Sequence, residues 1–123
     1  MHYINKNYLI ENPSHTFVYG DNLTRKGYGG AATLRDLPNT YGFITKKYPS
    51  NANSSFYNIN EYSKVFFEEL YKLKNEIENN VDKIFLISKL GAGLANKYRI
   101  FEEIIEPNLK KELSKYENVK FLF

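Results

Sequence analysis

The stretch Thr16-Phe17-Val18-Tyr19-Gly20-Asp21-Asn22, continuing through Leu23-Thr24-Arg25-Lys26 to Gly27-Tyr28-Gly29-Gly30-Ala31-Ala32, decides how the chain is read. Its first four residues are β-branched and aromatic, the composition of a buried strand. The strand ends at Gly20, and residues 20–30 hold four of the chain's seven glycines. Ala31 to Leu37 then predicts a short helix closed by Pro38-Asn39. A strand that runs through a glycine-rich loop into a helix suits an anion. Glycine lets a ligand approach the backbone, and unpartnered N–H groups attract negative charge. No Gly-Lys-Ser/Thr follows and the spacing is not Gly-x-Gly-x-x-Gly, so this is neither a P-loop nor a dinucleotide fingerprint.

The same layout recurs downstream. Lys83-Ile84-Phe85-Leu86-Ile87-Ser88 reads as a second buried strand, and it opens into Lys89-Leu90-Gly91-Ala92-Gly93-Leu94-Ala95-Asn96. Between the two units, Tyr62, Phe66, Leu70, Leu73 and Ile77 recur every three or four residues and predict one amphipathic helix over 60–79, with Asn60 as its N-cap. Residues 41–45 and 119–123 read as further strands, residues 2–10 as a short edge strand, and residues 50–55 as polar loop. Helical spacing resumes at Ile100, where Pro107 must kink the segment or start a second helix. Strands alternating with helices predict an α/β fold with a mixed, largely parallel sheet flanked by helices, in one domain over 1–123. Ligands of such sheets sit beyond the carboxyl ends of the strands, where both glycine loops fall.

Composition narrows the classes. The chain has 123 residues, enough for one domain with its own core. There is no cysteine and there are two histidines, His2 and His15, so no disulfide and no zinc ligand spacing exists, and no metal or cofactor is implied. The first residues show no signal-peptide pattern and no apolar run approaches a membrane span, so the expectation is a cytoplasmic protein without a membrane partner. The formal charge of +3 is low for a dedicated nucleic-acid module. The positive residues look scattered along the chain, and those of the main helix alternate with acids, so nucleic acid is not the expected partner.

Val18-Tyr19-Gly20-Asp21-Asn22-Leu23 with Gly27-Tyr28-Gly29-Gly30-Ala31-Ala32 resembles the first ligand loop of macro domains, and Ile84 to Leu94 resembles the second. The resemblance covers about 35 residues in two blocks, in the family's order. It implies a macro-domain-like fold that binds ADP-ribose or an ADP-ribosylated molecule. It matches Asn22 to the distal ribose, Gly27, Gly29, Gly30 and Ala31 to that ribose and the diphosphate, and Gly91, Ala92, Gly93 and Leu94 to the diphosphate. Asp21 falls to adenine or ribose, and with Asn22 it is a candidate for chemistry if the ADP-ribosyl linkage is hydrolysed. Some hydrolytic relatives carry a catalytic Asp after the second loop, where this chain has Ala95 and Asn96. Turnover and binding without turnover therefore both stay open.

Other residues complete the candidate set. Lys26, Arg25 and Arg35 have the charge to meet phosphate oxygens. Tyr28 and Tyr98 sit on the loops with faces suited to stacking, and Ser88 is a loop hydrogen-bonder. Asp36 reads as a surface residue. Two rival readings remain: a single-stranded nucleic-acid binder using Lys and Tyr, and a protein-interaction module whose loops are merely tight turns.

Overall fold

A computed structural model describes residues 4–123, and in it four strands form one sheet in the order β2-β1-β3-β4. These are β1 (His15–Asn22), β2 (Thr40–Lys46), β3 (Ile84–Ile87) and β4 (Val119–Phe121), and every ladder is parallel. The α/β class read from the sequence is what forms. The expected edge strand is not: within residues 2–10, His2 and Tyr3 lie outside the described residues, and Lys6–Glu11 is a helix, α1. Asn5 caps it by accepting a hydrogen bond from the Tyr8 amide at 2.8 Å, and the apolar set Ile4, Tyr8 and Leu9 then falls on the face packed against the sheet. Without that strand, nothing turns the four-stranded sheet mixed.

The sheet is covered on both faces. One face presents Phe17, Tyr19 and Leu86 to α1 and to Ala32. The other presents Val18, Phe85 and Ile87 to α2 (Ile59–Asn79) and to α3 (Glu106–Leu113) with the turn of π-helix, Phe101–Ile105, that leads into it. Alternation along β1 sends odd residues to the first face and even residues to the second, as the two-residue period requires. In α2, Tyr62, Phe66, Leu73 and Ile77 are wholly buried, each contributing about 1.5–3 kcal/mol by burial. Its N-cap is Asn58 rather than Asn60, because Asn58 and Glu61 form a reciprocal capping box. Pro107 sits in the first turn of α3, directly after the π-helical turn, and having no N–H it donates no backbone hydrogen bond to that turn.

The outer edge of β2 is closed by side chains. The Ile44 amide donates to Glu69 at 2.8 Å, and the Ile44 carbonyl accepts from the Tyr62 hydroxyl at 2.5 Å. Arg25 takes the Gly42 carbonyl at 3.1 Å, and Lys46 bridges to Phe56. An unpaired parallel edge would otherwise template aggregation. Among the described residues, no helix is long and apolar enough to cross a membrane.

A candidate phosphate cleft

Parallel strands bring their carboxyl ends to one side, so the loops that follow β1 and β3 become neighbours. The link after β1 crosses one face of the sheet and the link after β3 crosses the other, which makes β1/β3 the point where the winding reverses. β1 also runs on beyond its last pairing with β3, at Val18 and Ile87. The gap left above β3 is a cleft of about 410 Å³, lined by both glycine loops and by the ends of β1 and β2. That volume is within the range of small-molecule sites.

Two glycines explain how close the walls come. A Cβ on Gly20 would stand 3.4 Å from the Gly91 amide nitrogen, and one on Gly91 would stand 2.3 Å from Ile105 Cδ1. Gly91 also has φ +82°, a conformation other residues avoid. Gly29, by contrast, has φ −76° and open space around its Cβ position. It is glycine for no packing reason in the free protein.

The first loop is held from beneath. Asp21 is buried, and its carboxylate accepts from Arg35 Nη1 at 2.9 Å and Nη2 at 2.7 Å. Arg35 also donates from Nε to the Gly27 carbonyl at 2.9 Å and from Nη2 to the Lys26 carbonyl at 3.1 Å. Asn22 takes the same Lys26 carbonyl at 2.8 Å, while its Oδ1 accepts from the Thr24 amide at 3.0 Å. Loop carbonyls are thereby tied to the scaffold. Among the described residues, the N–H groups of Gly27, Gly29, Gly30 and Ala31, and of Gly91, Gly93 and Leu94 opposite, meet no acceptor. All seven residues line the cleft.

Charge complements this. Lys26, Arg35, Lys46 and Lys89 line the cleft against one carboxylate, Asp21, which Arg35 neutralises. Burial holds the Lys46 amine below its usual pKa, and the hydrogen bonds to Asp21 raise that of the Arg35 guanidinium. Burial also raises the Tyr19 phenol, with the nearby Asp21 charge adding to it. A second pocket of about 650 Å³ adjoins the cleft and shares Gly30, Ala31, Ser88 and Lys89 with it. Its remaining wall is largely apolar, with Ile4, Phe17, Leu34 and Leu122.

Most sequence candidates converge here. Asp21, Asn22, Lys26, Gly27, Gly29, Gly30, Ala31, Ser88, Gly91, Gly93 and Leu94 all line the cleft. Tyr28, Ala92 and Tyr98 do not. Tyr28 is exposed and donates to Asp36 at 2.9 Å, Ala92 packs against the core, and Tyr98 is exposed beside Lys97. The helix expected over 31–37 is only a 3-10 turn, Gly30–Leu34, so its dipole adds little beside the loop amides. Arg35, read as a phosphate contact, is committed to Asp21 and the loop. Thr45, Lys46 and Pro49 were not foreseen, because only the strand order places the end of β2 beside the cleft.

A model described as Family of unknown function (DUF7831) matches residues 1–98, a span that includes both glycine loops. No curated protein and no solved structure matches the chain. By that match over most of its length, the chain belongs to the DUF7831 family.

Proposed function

We propose that the chain binds ADP-ribose or a closely related nucleotide, with the diphosphate between the two glycine loops, in the manner of macro domains. The observation that carries this reading is the convergence of two loops with unpartnered N–H groups on one cation-lined cleft at the β1/β3 winding reversal. Backbone amides in such a concavity replace the hydration of a phosphate without needing a side chain to move. The adjoining apolar pocket supplies room for the base, and Lys26, Lys46 and Lys89 balance the charge of the diphosphate. The reading is one of binding. Among the described residues Asp21 is the one carboxylate lining the cleft, and a group clamped by two guanidinium nitrogens is poorly placed as a general base.

Calorimetric titration with ADP-ribose tests this against Gly29→Glu. The new side chain enters open space, so the fold persists while a carboxylate faces the phosphates. Saturable binding by the parent chain, lost in a variant of unchanged melting temperature, is the expected result. Absence of binding to ADP-ribose, NAD and ATP by a folded parent chain would overturn the reading.

A further inference from the structure

Charge that looks scattered in the sequence is gathered by the fold. The connections leaving the carboxyl ends of β1, β2 and β3, residues 20–36, 45–58 and 88–99, hold eight Lys or Arg side chains against two carboxylates. The rest of the chain holds nine against twelve. These connections are therefore strongly cationic and the remainder of the chain is net acidic, though Glu61 and Glu102 from the following helices reach Lys47 and Asn96. Three of those cations, Arg25, Arg35 and Lys47, are used in ion pairs; Lys26, Lys46, Lys89, Lys97 and Arg99 form none among the described residues.

Exposed apolar side chains gather at the same end. Leu23, Tyr28, Tyr48, Leu94 and Tyr98 are five of nine large hydrophobic side chains left exposed among the described residues, and all five stand on these connections. The three tyrosines flank the glycine loops or the Pro49 wall of the cleft, and Lys97 lies 5.7 Å from the Tyr98 ring centroid. None of the three rings belongs to either hydrophobic core.

We infer that this cationic, tyrosine-bearing rim docks a single strand of nucleic acid, with a nucleotide carried by that strand entering the cleft. The inference rests on the nucleotide-binding reading of the cleft and names the molecule that bears the nucleotide. Lysines interleaved with exposed aromatic faces suit a chain in which phosphates alternate with stackable bases. An acidic protein segment would use the charges and leave the ring faces without a counterpart. A duplex would hide its bases from the tyrosines. The mixed-charge face of α2 lies outside this surface.

Fluorescence anisotropy with a labelled oligothymidylate, read alongside calorimetric binding of free ADP-ribose, tests the inference. Each phosphate neutralised on a single strand contributes a slope of about 0.7 in log K against log salt; five cations would thus lose about a hundred-fold in affinity between about 50 and 200 mM. Lys97→Glu with Tyr98→Ala, both outside the cleft lining, should weaken the strand by about ten-fold or more while leaving ADP-ribose affinity unchanged. Strand binding without ADP-ribose binding would remove the nucleotide reading of the cleft and keep the rim as a strand-binding surface. ADP-ribose binding without strand binding would overturn the rim inference alone. Equal binding of polyglutamate, or of duplex, would also overturn it, in favour of a general polyanion surface. Loss of both ligands by the parent chain would remove both readings.

Discussion

Arg35 holds both oxygens of Asp21 and, with the same guanidinium, the carbonyls of Lys26 and Gly27. One planar side chain thus ties the end of β1 to the loop that forms a wall of the cleft. Arginine suits this task because its fixed fork satisfies a carboxylate and neighbouring carbonyls together, which a lysine ammonium cannot do. Gly42 is part of the same arrangement: a Cβ there would stand 2.5 Å from Asp21 Oδ2.

Removing the cation leaves Asp21 buried and without its principal partner. Arg35→Met should therefore lower stability by about 3 kcal/mol, a figure typical of breaking a buried pair. The pair Asp21→Asn and Arg35→Met, measured by urea unfolding as a double-mutant cycle, should show strong coupling, and independent effects would contradict the geometry. Amide exchange at Arg25 and Ala32, whose N–H groups are bonded within the loop, should quicken in Arg35→Lys even where the global melting temperature changes little.

Gly91 and Gly29 should respond oppositely to the same change. Gly91→Ala combines φ +82° with a Cβ 2.3 Å from Ile105 Cδ1, and should cost at least about 2 kcal/mol. Gly29→Ala meets nothing within 4 Å at an extended φ and should be neutral or slightly stabilising. Thermal unfolding of the two variants side by side checks both expectations.

At the start of α2, Asn58→Ala removes half of the capping box and should cost about 1 kcal/mol. Glu61, which completes the box, has its pKa lowered by Lys47 and then by the Asn58 amide. Its contribution is complete above the ordinary carboxylate range and is lost as pH falls through the lowered value. The cost of Glu61→Gln should therefore shrink in acid, while that of Asn58→Ala, which removes a neutral acceptor of the Glu61 amide, should persist; a pair of melts at neutral and low pH would measure both.

Lys46 gives the cleft a distinct alkaline response. Burial lowers its pKa from 10.5, so the protonated amine destabilises the free fold and that cost is relieved as pH rises through the lowered value. A bound anion favours the charged amine. Nucleotide affinity should be complete below the lowered pKa and fall as pH rises through it, before 10.5 is reached. Lys46→Arg should retain affinity over that window, measured by titration calorimetry across an alkaline series.

Elements set by local pattern could be read directly. The apolar runs at Phe17 to Tyr19 and Ile84 to Ile87 formed β1 and β3, and the spacing from Tyr62 to Ile77 formed α2. Residues 4–10 deceived because six helical residues leave little periodicity, and the deciding signal is a single cap at Asn5. The helix expected after Gly30 is a 3-10 turn, since two glycines before it and Pro38 after it leave few residues for regular turns. The convergence of both glycine loops on one cleft was legible because each follows a strand. Non-local facts were not: the end of β2 joins the cleft only through strand order, Arg35 meets Asp21 across 14 positions, and cations far apart in sequence collect at one end.

The most direct test of the central claim is an amide NMR titration of the chain with ADP-ribose. Binding between the loops predicts that the resonances of Gly27, Gly29, Gly30, Ala31, Gly91, Gly93 and Leu94 move together and saturate, while α2 amides far from the cleft stay in place. Resonances that do not move, or that move only on the outer face of α2, would contradict it.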